Sequence, residues 1–517
     1  MTTLQARKPY TEEELKRLYP AGLELQQVQI LLRHGERTPV SPRFSNAGLP
    51  AYWPYCAAAR HMRNAVMKRT EDGKSTAFTT LEWKRRLETF GPNDAPVIAT
   101  GPKGEMDAVC DMGMLTDKGR LTTLELGERL RALYVDRLGF LPKTIDSPDL
   151  IYLRATPVPR ALESMQQAFE GLYPTHTRPT NFPPPTILTR ALADETLLPN
   201  DGSCRRLAVL SQAFGQRTAD RWNHSDEMAY LTKVYGKWMP EGKVAVDAKP
   251  RLSGLMDTVN ATDAHGPETR LPKEFYDPKA RAIIEKIGVE EWFSGFKESQ
   301  EYRTLGIGGL MGDVTARMVG SVENSSADGE YELMRTSGQA PTPVKFGLSG
   351  THDTTLAGCL ASVGAFTTDR WPPFTSHIAF ELFRSAKIPE KAGVAVPTKA
   401  IDAASAAKVS WLGSFFGSSS PAGQPPPGIG RKMTEELSGA EKQKLDGYYV
   451  RLRYNDEIVT IPGCKSQGNH LPGDETFCTL AAFKSIVDKF TPKNWKEECK
   501  VKTDRPAIPA QPEVAGY

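Results

Sequence analysis

Three times along this chain a short β-favouring run ends in a cluster of polar residues, and that repetition limits the fold more than any other feature. Val28-Gln29-Ile30-Leu31-Leu32 runs into Arg33, His34 and Arg37, and Ile151-Tyr152-Leu153 runs into Arg154 and Arg160. A third run, from Val344 to Gly350, delivers His352 and Asp353. Short apolar runs bounded by turn residues read as buried strands. Helical spacing follows over Leu115–Leu133, with Thr116 as cap, over Arg160–Leu172, and again from Thr354 to Leu360. Open α/β sheets bind ligands beyond the carboxyl ends of their strands. Three loaded ends therefore predict one mixed central sheet flanked by helices, with one site at its edge.

The remaining chain fits around that sheet. Thr11 and Glu14 form a capping-box pattern that starts a helix ending before Pro20. Residues from about 190 to 338 are polar and helical in pattern, Leu305–Val319 most clearly, which predicts a mainly helical cap inserted into an α/β domain. The expected division is 24–175 for the first part of the core, 176–339 for the cap and 340–500 for the second part, with a flexible Ser/Pro/Gly-rich loop at 415–430. Tyr448–Tyr454 and Ile458–Ile461, joined at Asn455-Asp456, read as an edge hairpin. Lys84-Arg85-Arg86, flanked by Glu82 and Glu88, reads as a solvated helix face.

Composition excludes some classes. The net charge of +3, from 65 basic and 62 acidic residues, argues against a nucleic-acid surface, which needs a concentrated basic stripe. No stretch approaches the roughly 20 apolar residues of a transmembrane helix. Residues Met1 to Tyr10 carry no signal-like apolar segment, which favours an intracellular setting. The seven cysteines are scattered without a CxxC, against a structural zinc site. Cys464 and Cys478 lie in loop-like sequence and could form a bridge.

A phosphoryl group presents charge on several oxygens and needs convergent donors, for which the arginine fork is best suited. Hydrolysis without a metal needs a nucleophile and an acid for the departing oxygen. Arg33-His34-Gly35-Glu36-Arg37-Thr38-Pro39 sets two arginines around one histidine; Gly35 permits close approach of the phosphate and Pro39 stiffens the exit. His352-Asp353 alone would also suit a metal site or a serine triad. Neither further His and carboxylate residues nearby nor a Gly-x-Ser-x-Gly elbow accompanies it, and no P-loop pattern is present.

With these residues the chain resembles the histidine acid phosphatases, the acid phosphatase and phytase branch of the histidine phosphatase superfamily. Arg33 to Pro39 matches that family's Arg-His-Gly-x-Arg-x-Pro signature, and Ser349 to Leu356 resembles its second signature. Arg154-Ala155-Thr156 and Arg160 to Ser164 resemble the segment carrying its third arginine, though Pro159 stands where many relatives have aspartate. Trp371 to Phe374, His377 to Leu382 and the segments around Cys464 and Cys478 extend the likeness over roughly 26–485. The resemblance implies that His34 attacks phosphorus and becomes a phosphohistidine. It implies that Arg33, Arg37, Arg160 and His352 hold the phosphate, that Asp353 protonates the leaving oxygen, and that no metal or cofactor takes part. It also implies a Cys464–Cys478 disulfide.

The expected partner is a small phosphate monoester; the oligomeric state stays open. In the cap, Asp257, Asp263, Glu268 and Glu274 balance Lys249, Arg251, Arg270 and Lys273, which does not favour a dedicated phytase. Two readings compete with a general acid phosphatase: a binding protein for phosphorylated ligands with weak or no catalysis, and a narrow lysophosphatidic-acid-type phosphatase. Glu36 is expected at the pocket mouth or in solvent.

Overall fold

The structure, a computed structural model, describes residues 3–323, 344–388, 428–501 and 505–517. Helix α1 (Glu12–Leu18) opens with the expected capping box: the Thr11 hydroxyl accepts the Glu14 N–H and the Glu14 carboxylate accepts the Thr11 N–H. Strand β1 (Leu23–Arg33) follows. Strands β2 (Met62–Arg69) and β3 (Thr76–Trp83) form one exposed hairpin, and β4 (Glu88–Phe90) and β5 (Pro96–Ile98) another. Next come α2 (Asp117–Arg131), β6 (Ile151–Ala155), α3 (Pro159–Leu172) and the short β7 (Ile187–Leu188).

A helical run then intervenes: α4 (Arg205–Trp222), α5 (Asp226–Tyr235), α6 (Leu252–Ala264), α7 (Pro278–Glu298), α8 (Gln300–Arg303) and α9 (Gly309–Glu323). The chain returns with β8 (Phe346–Thr351), α10 (Asp353–Ser362) and β9 (His377–Ser385). After α11 (Gly439–Gln443) it closes with β10 (Tyr448–Tyr454), β11 (Glu457–Val459), β12 (His470–Leu471), β13 (Asp474–Thr479) and α12 (Leu480–Asp488). Residues 415–427 of the expected loop and 324–339 of the expected cap lie outside the described residues.

Among the described residues nine strands form the central sheet, in the order β12-β13-β10-β9-β1-β8-β6-β7 with β11 beside β10. It is mixed: β8 runs parallel to both β1 and β6, whereas β9 is antiparallel to β1. Side chains alternate across β1. Val28, Ile30 and Leu32 join a core with α2 and α3, while Leu31 joins the core built by α9, α10 and α12 on the other face. A separate core holds α5, α6 and the first half of α7 against Phe44, Leu49 and Trp53, and this is the cap.

Two expectations change. Lys84-Arg85-Arg86 is not helical: it follows β3, and Lys84 and Arg86 pair with Asp107 at 3.5 and 2.9 Å. Pairing of β2 with β3 runs out to Met62 opposite Trp83, which leaves these residues just past the end of the hairpin. Strand β10 is not an edge either, since it lies between β9 and β13. Arg451 and Arg453 are buried around Glu381 of β9 at 2.7 and 3.2 Å. Tyr19 and Tyr134 donate to the same carboxylate at 2.7 and 2.8 Å.

Three disulfides are present among the described residues, Cys56–Cys110, Cys204–Cys499 and the expected Cys464–Cys478; Cys359 is a buried free thiol.

Candidate active site

The parallel register of β1, β8 and β6 brings their carboxyl ends level. Arg33 lies opposite Thr351, and Ala155 opposite Gly350. The ladder continues one step further, with the His34 N–H on the Thr351 carbonyl at 3.2 Å and the Thr156 N–H on the Gly350 carbonyl at 3.2 Å. His34, His352 and the start of α3 therefore emerge side by side.

Gly35 also has a packing reason to be glycine. A Cβ there would stand 2.2 Å from the Gly119 carbonyl oxygen, and a Cβ at Gly119 2.2 Å from the Glu36 carbonyl oxygen. The signature loop and the first turn of α2 thus meet backbone to backbone. The Gly35 N–H is held by the Ser164 hydroxyl of α3 at 3.1 Å. Glu36 faces neither the pocket mouth nor solvent: it is fully buried, accepting from Thr3 and Thr122 at 2.6 Å each. Pro159 is the first residue of α3, where its fixed φ suits a helix start, and it sets Arg160 in the first turn.

His34 is 2% exposed, and its Nδ1 lies 2.9 Å from the Gly35 carbonyl. A carbonyl only accepts, so Nδ1 carries the proton and Nε2 keeps its lone pair. Burial, then the charges of Arg160, Arg33 and Arg37, then His352, hold its pKa well below the usual histidine value. Burial and the surrounding cations thus favour the neutral ring. His352, at the N-cap of α10, has its Nε2 3.0 Å from the Thr156 hydroxyl and its ring 5.6 Å from that of His34. Burial and Arg160 lower its pKa too, against the opposing pull of Asp353.

Arg33 reaches Asp353 at 2.8 Å, bonds the Pro372 carbonyl and lies over Phe374. Asp353 also accepts the Trp371 indole N–H at 3.0 Å. Burial raises the Asp353 pKa, but Arg33, the Trp371 hydrogen bond, Arg37 and His352 outweigh it and hold the group below the usual carboxylate value. Arg37 pairs with Asp257 of α6 at 2.7 Å. Arg160 is lowered to about 10 by burial and by Arg37, and so stays cationic in acid. Arg33, Arg37 and Arg160 each retain a buried Nε–H without a hydrogen-bond partner, donor capacity suited to an anion. The structure thus brings together all six residues singled out from the sequence. Arg154 stays outside, locked to Glu195 at 2.5 Å in the core.

Beyond the arginines opens a cavity of about 280 Å³ lined by Val40, Arg43, Met256, Asp257, Trp292 and Trp371 among others. Among the described residues no group of three or more His, Cys, Asp or Glu side chains is arranged to hold a metal.

Residues 24–393 match the family described as histidine phosphatase superfamily, branch 2. A probable acid phosphatase of Schizosaccharomyces pombe is 34% identical over 484 residues, covering 93% of this chain and 95% of the relative. The chain belongs to the histidine phosphatase superfamily. Human lysophosphatidic acid phosphatase type 6 is 25% identical over 369 residues, 70% of this chain and 74% of that protein. A Hafnia alvei phytase in complex with myo-inositol hexakis sulphate aligns with a TM-score of 0.48 at 14% identity, over 93% of this chain and all of that one. This histidine phosphatase is a phosphomonoesterase with acid phosphatase activity. No described helix is long and apolar enough to cross a membrane.

Several residues of this site were missed in the sequence. Thr156, Ser164 and Trp371 lie in segments that resemble the family, but their contacts with His352, Gly35 and Asp353 have no sequence signal, and Asp257 stands in the cap as one charge among several. His265, which no motif singles out, bridges the Ala261 carbonyl of α6 at 2.7 Å to the Thr116 hydroxyl at 2.9 Å.

Proposed function

We infer that the protein hydrolyses phosphate monoesters through a phosphohistidine at His34. The observation that carries this is the tautomer: a neutral imidazole with Nδ1–H spent on Gly35 leaves Nε2 as the free lone pair among three arginines. That lone pair forms a bond to phosphorus as the ester P–O bond breaks. The electron pair goes to the ester oxygen, which takes a proton from Asp353. Water then attacks phosphorus, the N–P bond breaks back to His34, and Asp353 receives the water proton. Arg33, Arg37, Arg160 and His352 hold the phosphoryl oxygens, and their fixed donors favour the charge spread of the transition state.

Substrate phosphate also primes the acid. The ion pair with Arg33 holds Asp353 toward its ionised form. A bound phosphoryl anion engages Arg33 and Arg37 and adds negative charge, and both effects raise the Asp353 pKa toward the protonated form. The decisive test is phosphate release from an aryl phosphate in the presence of a chelator. His34→Ala is expected to abolish it, and release that survives in a purified variant would remove His34 as nucleophile.

A narrower reading, a lysophosphatidic-acid-type phosphatase, draws support from the relative of that name and from a second cavity of about 270 Å³. That cavity shares Met256 and Asn260 with the first; Val259 and Ile284 give it apolar wall for one side of an acyl chain, and Arg281, Glu285 and Arg370 line the rest. The three disulfides favour an oxidising compartment over the intracellular setting expected from the sequence.

A further inference from the structure

The cap places one carboxylate at the phosphate cage that the hydrolytic cycle does not use. Asp257 of α6 reaches Arg37 with Oδ1 at 2.7 Å, and Arg43 and the Val40 N–H with Oδ2 at 3.3 and 3.2 Å. Each arginine lining the cavity already faces a carboxylate: Arg33 has Asp353, Arg37 and Arg43 share Asp257, and Arg251 has Glu291 at 2.6 Å. Once a phosphoryl group takes Arg33, Arg37 and Arg160, the other half of the ester meets Arg43 with Asp257 and Arg251 with Glu291. That remainder is neutral, and Met256, Trp292 and Trp371 supply apolar wall. An uncharged alcohol fits there. A second phosphate would have to draw Arg43 from Asp257 and sit beside that carboxylate, which is repulsive at short range.

We propose that Asp257 is a specificity-determining residue: by neutralising Arg43 and holding negative charge in the leaving-group cavity, it confines the enzyme to esters whose leaving group is uncharged. The proposal rests on the phosphomonoesterase reading and names the substrate class within it.

The test compares kcat/KM for a hydroxyalkyl phosphate with that for the bisphosphate of the same diol. Asp257→Asn is expected to raise the relative preference for the bisphosphate about tenfold, a screened fraction of one short-range charge interaction. Asp257→Glu, which keeps the charge, is expected to retain the wild-type ratio. Arg43→Gln leaves the carboxylate in excess and is expected to move the ratio the opposite way, which keeps the proposal testable should Asp257→Asn fail to fold. An unchanged ratio in Asp257→Asn, or an equal change for both substrates, overturns it. Calorimetric binding of inorganic phosphate and pyrophosphate separates the two readings. If wild type cleaves neither ester, the phosphatase reading fails. A gain for pyrophosphate over phosphate in Asp257→Asn would still support the selectivity role, and no gain would end it.

Discussion

His34 and Asp353 are matched by opposite requirements. The histidine must be neutral to attack, and burial among cations keeps it so well below its usual range. Falling pH therefore does not switch off the nucleophile near the ordinary histidine value. The aspartate must be protonated when the ester oxygen leaves, so activity falls as pH rises through its value in the substrate complex. Asp353→Asn can neither give nor take a proton. It is expected to reduce kcat about 10²–10⁴-fold for an alkyl phosphate, and much less for a nitrophenyl phosphate, whose leaving group needs no proton. Equal losses for the two substrates, measured by steady-state kinetics, would take the acid role away from Asp353.

At the scale of elements, β9 is tied to its surroundings by one buried carboxylate. Glu381 joins Arg451 and Arg453 of β10 to Tyr19 after α1 and Tyr134 after α2. Burial alone would raise its pKa, but the two arginines and the Tyr19 and Arg451 hydrogen bonds lower it from 4.5 to about 2. A depressed folded-state value contributes stability that is full above the unfolded value of 4.5 and disappears as pH falls through about 2. Glu381→Gln strands two buried guanidinium groups and is expected to cost about 3–5 kcal/mol near neutral pH. The gap from wild type in urea unfolding should narrow as pH falls from 4.5 toward 2. A gap independent of pH would show that lost packing, not charge, sets the effect.

Across the whole molecule, the disulfides act over very different lengths of chain. Cys204–Cys499 spans 295 residues and ties the start of α4 to the C-terminal segment, whereas Cys464–Cys478 spans 14. If cross-links stabilise by restricting the unfolded chain, removing the long one costs more, by about 2–3 kcal/mol on loop-closure entropy. Cys204→Ser with Cys499→Ser should therefore lower the unfolding free energy further than Cys464→Ser with Cys478→Ser, measured in denaturant without reductant. The reverse order would point to local packing as the main contribution. Cap and core meet at α7, whose Ile283 and Ile284 serve the cap core and whose Phe293 and Phe296 serve the sheet. One rigid helix thereby sets the distance from Asp257 to the arginines.

By itself the sequence determined what depends on local pattern. The Thr11 box, β1, β6, β8 and the helices behind them follow from capping, alternation and periodicity; strand ends narrow the candidates, but they include Arg154 as well, and it is the family resemblance that singles out the six site residues. The hairpins over 62–98 went unread because a two-stranded excursion leaves no buried face to impose a pattern. Only the tertiary structure decided the rest. Gly35 answers to Gly119, Glu36 to Thr3 and Thr122, and Arg451 to Glu381, each across a contact that no spacing encodes. Asp257 reached the phosphate cage in the same way: its neighbours in sequence belong to an ordinary cap helix, and its charge acquires a role only because α6 meets the loop that follows β1 at Arg37, Val40 and Arg43. Short-range pattern fixes where a strand ends; which buried charge stands opposite it depends on packing between elements distant in the chain.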